Sequence, residues 1–249
     1  MTSSATPHAD RLAREMEHDL RIASRAEAIW NWDSPAGRVR ADRRAAFFVE
    51  HAGLVPGRRA MELGCGTGLF LERVARSGAD LVGVELSETL LARAKARCAT
   101  LPNVTLERGD AHRLPHADGS VDAVYGSSVL HHLDLARSLG EAHRVLRAGG
   151  RIAFTEPNIL NPHIIFLFRL APRERLGLSP DEMAFSRHRA ARTLMELGYV
   201  DVVVKPFDFL HPATPTRWIG AVSRLGERLE RIPGLSQIAG SLLIHARKG

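Results

Sequence analysis

The sequence predicts an α/β fold, a Rossmann-like, doubly wound sheet of seven strands with a helical segment before it and insertions near the C-terminus. Short apolar runs alternate with helical stretches, which is typical of a parallel sheet. The first of these runs ends in a turn with three glycines. The predicted strands are Arg59–Leu63, Asp80–Glu85, Val104–Gly109, Val121–Ser127, Arg151–Glu156, Val200–Phe207 and Ser241–Arg247.

The part of the chain before the first strand is predicted to be helical. Residues 1–52 are interpreted as a helical cap or lid, with helices over Ala9–Arg25 and Ala41–Ala52, and residues 53–249 as the main domain. Trp30 and Trp32 lie between these helices, in a segment that stops at a proline. Their broad rings suit either the packing of a helix end or a lid that excludes water from a ligand.

The glycine turn follows Glu62 at the end of the first strand and must open a helix. Glycine at positions 64, 66 and 68 allows the positive φ of a tight turn and lets a ligand approach the backbone. We therefore expect a nucleotide-like cofactor at this turn.

Carboxylates stand at the ends of the next two strands. Glu85 can accept hydrogen bonds from both hydroxyls of a ribose, and Asp110 is placed to meet an adenine amino group. The fourth strand leaves through the small residues Gly126, Ser127 and Ser128 into a helix start at His131.

These four blocks resemble the class I S-adenosylmethionine (SAM)-dependent methyltransferases, especially the small-molecule branch that includes ubiquinone and menaquinone methyltransferases. The resemblance covers about Arg58 to Phe154. It implies SAM as cofactor, S-adenosylhomocysteine as product, and a last strand inserted antiparallel between its predecessors. The cofactor-binding residues it implies are Glu62, Gly64, Cys65, Gly66, Thr67, Gly68, Glu85, Leu86, Asp110, Ala111 and Ser127.

A nicotinamide-dependent oxidoreductase is the alternative within this architecture. Its turn would place the last glycine at position 69, where this chain has Leu69. Glu62 would also repel a pyrophosphate, whereas it could anchor the amino group of SAM.

His131, His132 and Glu156 are the candidate catalytic residues. Methyl transfer from a sulfonium needs alignment and water exclusion, with a base only where the nucleophile must lose a proton. The two histidines follow the fourth strand, and Glu156 ends the fifth. Each could instead have a structural role, the histidines at the cofactor rim and Glu156 on neighbouring backbone.

Some motifs are missing from the chain. The Asn/Asp-Pro-Pro-aromatic motif of methyltransferases that act on planar amino nitrogens is replaced by Gly126-Ser127-Ser128-Val129. Ser127 stands where the metal-dependent catechol methyltransferases would have an Asp, so we expect no metal. Cys65 and Cys98 form no local metal motif and are interpreted as packing residues.

The bulk composition favours a cytoplasmic globular protein, with 45% hydrophobic and 25% charged residues and no apolar signal region at the N-terminus. The net charge of +6 is made almost entirely of scattered arginines with acidic neighbours. Such a pattern does not favour a nucleic-acid surface.

Two apolar insertions, about 159–185 and 210–240, interrupt the alternation. The first follows Glu156 at the edge where ligands bind in such folds, and therefore predicts a small, apolar acceptor such as a quinone, polyketide or lipid-like compound. The second contains an amphipathic helix over Trp218–Ile232, which leaves open a peripheral membrane contact, and a homodimer is also open. An RNA or protein methyltransferase and a non-catalytic SAM-binding protein remain as alternatives.

Overall fold

The computed structural model describes residues 23–169 and 185–249. Seven strands form one sheet in the order β3-β2-β1-β4-β5-β7-β6, which confirms the predicted fold class. The strands are β1 (Arg59–Leu63), β2 (Asp80–Glu85), β3 (Val104–Arg108), β4 (Val121–Ser127), β5 (Leu146–Pro157), β6 (Tyr199–Phe207) and β7 (Ser241–Lys248).

Strands β1 to β5 run parallel, so their carboxyl ends meet at one edge of the sheet. The register sets Glu62 beside Gly83 on one side and Tyr125 on the other. Strand β7 pairs antiparallel with β5, from Arg151↔Arg247 to Pro157↔Ser241, and antiparallel with β6. The expected insertion of the last strand is therefore confirmed, and one parallel edge carries the ends of β1 to β4.

The helices of the described residues cover both faces of the sheet. They are α1 (Ala26–Ile29), α2 (Pro35–Ala52), α3 (Leu69–Val74), α4 (Glu88–Cys98), α5 (Leu135–Val145), α6 (Pro162–Arg169), α7 (Arg187–Glu196) and α8 (Ile219–Leu229). One buried cluster lies between the sheet and α2, α3 and α4, and contains Phe48, Phe70 and Tyr125. A second, on the opposite face, contains Ile152, Phe154 and Leu194.

Two local boundaries differ from the predictions. Helix α2 begins at Pro35 and not at Ala41; the missing N–H of Pro35 costs nothing in the first turn, and Ser34 caps that turn by accepting a hydrogen bond from the Gly37 amide at 2.9 Å. The pair Gly149-Gly150, which in the sequence is typical of a helix stop before the fifth strand, does not end the helix. Helix α5 ends at Val145, and the glycines lie within β5 at an irregularity in its pairing with β4.

Parts of the predicted organisation lie outside the described residues. These are most of the predicted helix Ala9–Arg25 and residues 170–184 of the first insertion. The division into a cap, 1–52, and a main domain stays a prediction. Helix α2 packs directly on the sheet, with the Phe48 and Tyr125 rings 5.3 Å apart. Among the described helices, none combines the length and apolar character needed to cross a bilayer.

Candidate active site

The glycine turn lies between β1 and α3, and backbone geometry explains its glycines. Gly64, Gly66 and Gly68 all have positive φ, at 62°, 53° and 77°. A Cβ on Gly64 would approach the side chain of Val129 to 2.5 Å, closer than real contacts allow, whereas one on Gly66 would meet the Trp30 ring at 3.4 Å. Glycine is thus required at position 64 both for its φ and for the close approach of β1 to the segment after β4.

Glu85 joins the end of β2 to this turn. Its Oε2 accepts a hydrogen bond from the Gly66 amide at 2.8 Å, and its Oε1 accepts one from the Ser87 amide at 2.9 Å. The carboxyl is 7% exposed, and burial raises its pKa although the amides of Ser87, Gly66 and Leu86 oppose that shift. The residue predicted to bind a ribose therefore already holds the loop that would carry the rest of the cofactor.

Glu62 lies beneath the glycine turn and is buried. Its Oε2 and the hydroxyl of Tyr125 beside it form no close, well-aligned hydrogen bond among the described residues. Burial raises the pKa of Glu62 well above its usual range; an interaction with the Tyr125 hydroxyl opposes that shift, and the charge of Glu85 adds to it. A buried carboxyl with so little polar compensation is costly unless a ligand supplies a cation or donor.

Cys65 and Thr67 also belong to the turn. The Cys65 side chain is buried, whereas the Thr67 side chain forms hydrogen bonds. Cys65 is buried next to Glu85, and burial raises the pKa of its thiol well above the usual range. A thiol with a raised pKa is a poor nucleophile. The Thr67 hydroxyl donates a hydrogen bond to Glu27 of the N-terminal segment described below.

Asp110 stands after β3 in a small network with a histidine that sequence reasoning missed. Its Oδ1 accepts a hydrogen bond from the His112 amide at 2.9 Å and lies 2.8 Å from His112 Nδ1. His112 Nε2 accepts the Asp134 amide at 3.0 Å, so the neutral ring carries its proton on Nδ1 and donates it to Asp110. Ala111, between them, is half-buried. The Asp-x-His spacing was a usable signal, because Asp side chains bond the backbone two residues on.

The backbone that follows β4 has an unfavourable conformation at Ser128 and is held there by hydrogen bonds to Thr155. Ser128 has φ +55°, unusual for a non-glycine residue, and its amide donates to the Thr155 carbonyl at 2.7 Å. The Ser127 hydroxyl accepts a hydrogen bond from Thr155 Oγ1 at 2.8 Å. The bend turns the chain from the sheet edge into the 3-10 helix Leu130–His132.

Glu156 caps this 3-10 helix. Its Oε1 accepts the amides of Val129 and Leu130 at 3.0 and 2.9 Å, while its Oε2 accepts the His131 amide at 3.3 Å and lies 2.7 Å from His131 Nδ1. The carboxyl is 1% exposed. Both oxygens of Glu156 are thus occupied by the segment 129–131.

The two adjacent histidines face different partners. His131 is buried beside Glu156, whereas His132 is half-buried and interacts electrostatically with Glu85 across the strand ends. Their rings are 4.2 Å apart. The structure thus brings the two candidate catalytic histidines and Glu85, the predicted ribose-binding carboxylate, to the same edge of the sheet.

The N-terminal segment covers the glycine turn through contacts that no local sequence signal indicated. Glu27 Oε1 accepts hydrogen bonds from the Thr67 hydroxyl at 2.9 Å and from Arg97 Nη2 at 2.7 Å, and Arg97 also donates to Thr67 Oγ1 at 2.9 Å. Trp30 packs with Leu90 and lies over Gly66. These partners are 30 to 70 residues apart, so only folding brings them together.

The second tryptophan of that segment belongs to the core. Trp32 is 8% exposed, meets the Phe70 ring edge-on at 5.6 Å, and has the Arg44 guanidinium 5.1 Å from its centroid. Arg44 in turn donates to Asp208 Oδ2 at 2.8 Å. Burial alone would raise the pKa of Asp208, but Arg44 and Arg40 lower it to about 2. The charged pair ties α2 to the segment between β6 and β7.

Helix α6 begins five residues after β5 ends and is apolar but incompletely covered. Ile164 and Ile165 are half-buried, while Leu160 and Phe166 are 45% and 53% exposed. The described part of the first insertion therefore does not fill the core. Across residues 23–169 and 185–249, no three His, Cys, Asp or Glu side chains gather as metal ligands do.

A parallel sheet whose first strand enters a glycine turn, with carboxylates after the next two strands, defines a nucleoside-binding α/β protein. Residues 61–154 match the family model described as a methyltransferase domain. The resemblance of this part of the chain to the class I SAM-dependent methyltransferases, seen in its motifs, is thereby confirmed.

Relatives support that assignment over part of their length. The demethylmenaquinone methyltransferase of Beutenbergia cavernae is 39% identical over 121 residues, covering 48% of each chain. The malonyl-[acyl-carrier protein] O-methyltransferase of Pectobacterium atrosepticum is 34% identical over 131 residues, covering 52% of this chain and 49% of that one. The chain thus spans about half the length of these curated relatives.

A solved structure extends the similarity of the fold. The SAM-dependent methyltransferase of Mesorhizobium loti superposes with a TM-score of 0.57 at 25% identity, covering 78% of this chain and 93% of that chain.

Proposed function

We propose that this protein transfers the methyl group of SAM to a small, apolar acceptor. The observation that carries the cofactor half of this proposal is the contact between Glu85 and the Gly66 amide, which joins a ribose-type carboxylate to the glycine turn at 2.8 Å. Relatives that methylate a menaquinone precursor and an acyl-carrier-bound malonyl group support a metabolite-sized acceptor.

The residues present fit SAM. Glu85 would accept its ribose hydroxyls, the turn Gly64–Gly68 would carry its amino-acid portion, and Asp110 would face its adenine. The buried Glu62 carboxyl, whose only polar neighbour with an opposing effect on its pKa is Tyr125, would ionise beside an ammonium and is suited to hold it. When bound, the sulfonium of SAM supplies the electrophilic methyl group.

His131 is proposed as the group that takes a proton from the acceptor. Glu156 Oε2 lies 2.7 Å from its Nδ1 and fixes the ring orientation, and Nε2 is proposed as the nitrogen that takes the proton. This is the logic of a base oriented by a buried carboxylate, with Glu156 as the positioning residue. His132, beside Glu85, is proposed to line the cofactor rim.

The apolar acceptor is supported by the half-exposed side chains of α6. They follow β5 at the carboxyl edge, where ligands bind in open α/β sheets. Removing such a side chain from water contributes about 1.5–3 kcal/mol, so a ligand that covers several of them gains binding energy that a charged acceptor would not.

The test is incubation of the purified protein with methyl-labelled SAM and separate extracts of apolar metabolites, water-soluble metabolites, RNA and protein. Label in the apolar fraction, lost in Glu85→Ala and His131→Asn, is the expected outcome. Label in RNA or protein would contradict the acceptor class in favour of the first alternative. SAM binding without transfer to any fraction would support a non-catalytic SAM-binding protein.

A further inference from the structure

Helix α8, together with the turn before it and the residues after it, carries an apolar stripe on the protein surface. Trp218, Leu225 and Ile232 recur every seven residues, which places the first two on one helical face, and they are 53%, 55% and 44% exposed. A different side of the helix touches the body of the protein, since a Cβ on Gly226 would lie 3.2 Å from Phe209. The apolar stripe therefore points outward.

A basic stripe runs beside the apolar one. Each arginine directly precedes an apolar residue, and within α8 it lies about 100° round the helix axis from that residue. All four are exposed, and within the described part of the chain none of them forms an ion pair; they are Arg217, Arg224, Arg228 and Arg231. Of the two acidic residues over 217–232, Glu230 is turned to the protein and binds Arg43 at 3.0 Å, whereas Glu227 is exposed beside the arginines.

We propose that this face docks on the surface of a membrane that contains anionic phospholipids. An exposed apolar face with arginines along its border is the pattern of a helix that lies in the bilayer interface. The apolar side chains enter the acyl boundary, and the guanidinium groups meet lipid phosphates. The exposed Trp218 suits the headgroup level.

Charge favours a lipid surface over a second copy of the chain. In a twofold contact the same patch meets itself, so the four arginines of one copy would have to be balanced by a patch that exposes four arginines and, over residues 217–232, one acid, Glu227. A contact between two patches of the same net charge is unfavourable, whereas anionic lipid supplies the complementary charge.

The segment after the docking face contacts the start of the proposed acceptor site. Asn161, directly before α6, donates from Nδ2 to the Ile238 carbonyl at 2.7 Å. Exposed apolar side chains occur on both segments, Phe166 on α6 and Leu235 and Ile238 after α8. If the proposed function holds, the acceptor can be taken from the lipid phase; docking itself does not depend on it.

The experiment is flotation of the full chain with vesicles of phosphatidylcholine alone or mixed with phosphatidylglycerol. We expect binding to the mixed vesicles, weakened about ten-fold or more without the anionic lipid or in about 0.5 M salt. Leu225→Glu and the pair Arg224→Glu/Arg228→Glu should each lower binding about ten-fold or more. The matched controls are Met195→Glu, a 59%-exposed residue of α7, and Arg189→Glu/Arg192→Glu, which should bind as the parent does.

Absence of binding to the mixed vesicles would overturn the proposal. Equal losses in the control variants would also overturn it, since binding would then depend on total charge alone. A dimer that Leu225→Glu dissociates would assign the face to a second copy instead. Methylation of a dispersed acceptor by Leu225→Glu tests the enzyme separately, so failure of docking and failure of the proposed function are distinguishable.

Discussion

Glu156 and His131 form a buried pair in which Oε2 of the carboxylate lies 2.7 Å from Nδ1 of the imidazole. The same carboxylate accepts three backbone amides of the 3-10 helix, at Val129, Leu130 and His131. One side chain thus sets both the path of the chain after β4 and the orientation of the histidine beside the proposed methyl-transfer site.

Glu156→Gln should impair the capping of the 3-10 helix and the orientation of His131 without changing the binding of SAM. The amide replaces one acceptor oxygen by a donor, so at least one buried N–H loses its partner, and we expect a loss of about 1.5–3 kcal/mol in unfolding free energy. Urea denaturation measures that loss. In the folded fraction, kcat should fall while the Kd for SAM stays the same, and the ring nitrogen shifts of His131 should report a changed tautomer. Unchanged ring shifts would contradict the positioning role.

His131→Asn should lower kcat by about a hundred-fold or more if the residue acts as the base. The KM for SAM should change little, because His131 is buried against Glu156 and not against Glu85. Steady-state kinetics across a range of pH checks both expectations. His188→Asn, on the surface of α7, is the matched control. A variant with full kcat would leave His131 as a packing residue.

Glu85→Ala should weaken SAM binding by about 1.5–3 kcal/mol, or roughly ten- to a hundred-fold in Kd, because it removes a charged acceptor. Calorimetry measures the change, with Glu88→Ala as the control, since Glu88 begins α4 only three residues later but is exposed. Equal affinity in the two variants would remove Glu85 from the site. Tight NAD binding by the parent would favour the oxidoreductase alternative.

Glu62 should release a proton when SAM binds. Burial raises the pKa of its carboxyl in the free protein, so the protonated form is favoured, and a cationic group placed beside it favours the ionised form. Affinity for SAM should therefore rise as pH increases toward the raised pKa and then level off. Calorimetry in buffers of different ionisation enthalpy measures the proton count. Glu62→Gln should abolish release, and the half-exposed Glu72→Gln should not.

Glu27→Gln should speed the dissociation of SAM several-fold if the N-terminal segment is a lid. The variant weakens the link to Thr67 and Arg97 that holds Trp30 over Gly66. The ion pair between Glu27 and Arg97 is partly exposed, so the loss in unfolding free energy should stay below about 1 kcal/mol. Stopped-flow tryptophan fluorescence measures the rate. Glu50→Gln, whose side chain is 77% exposed, is the control. Equal rates in both variants would refute the lid.

Acid should destabilise the contact between α2 and β7, where the His51 and His245 rings stack at 4.3 Å. Burial lowers the pKa of both histidines. The positive charges of Lys205 and Arg151 lower both values further, while Glu50 raises them. His51 also lowers the pKa of His245. A histidine with a lowered folded pKa binds protons better when unfolded. Stability is therefore complete above the unfolded pKa of about 6.5 and declines as pH falls toward the folded values.

Urea unfolding between about pH 7.5 and pH 5 measures this slope. His245→Gln should flatten it, because the variant removes one titrating ring and the repulsion between two charged rings. His188→Gln, exposed on α7, should leave it unchanged. A slope that His245→Gln does not alter would assign the acid sensitivity to other groups.

The strands and the cofactor turn could be predicted because their signals are local. Glycines at positions 64, 66 and 68, an acidic residue ending β2 and the alternation of strand and helix each depend on a few consecutive residues. Parallel pairing then brings those strand ends together. The boundary errors at Pro35 and Gly149 have the same origin, because a proline or glycine has several local uses and tertiary pairing selects among them.

By itself, the sequence determined the class of fold, the edge of the sheet that carries the site and the kind of cofactor that edge suits. Only the tertiary structure decided that Glu156 caps the His131 corner, that Glu27 reaches Thr67 and Arg97, and that Trp30 covers the turn while Trp32 enters the core. The physical reason is that these contacts join residues 25 to 70 positions apart. Sequence spacing does not record such contacts, and their strength depends on how far folding removes each of them from water.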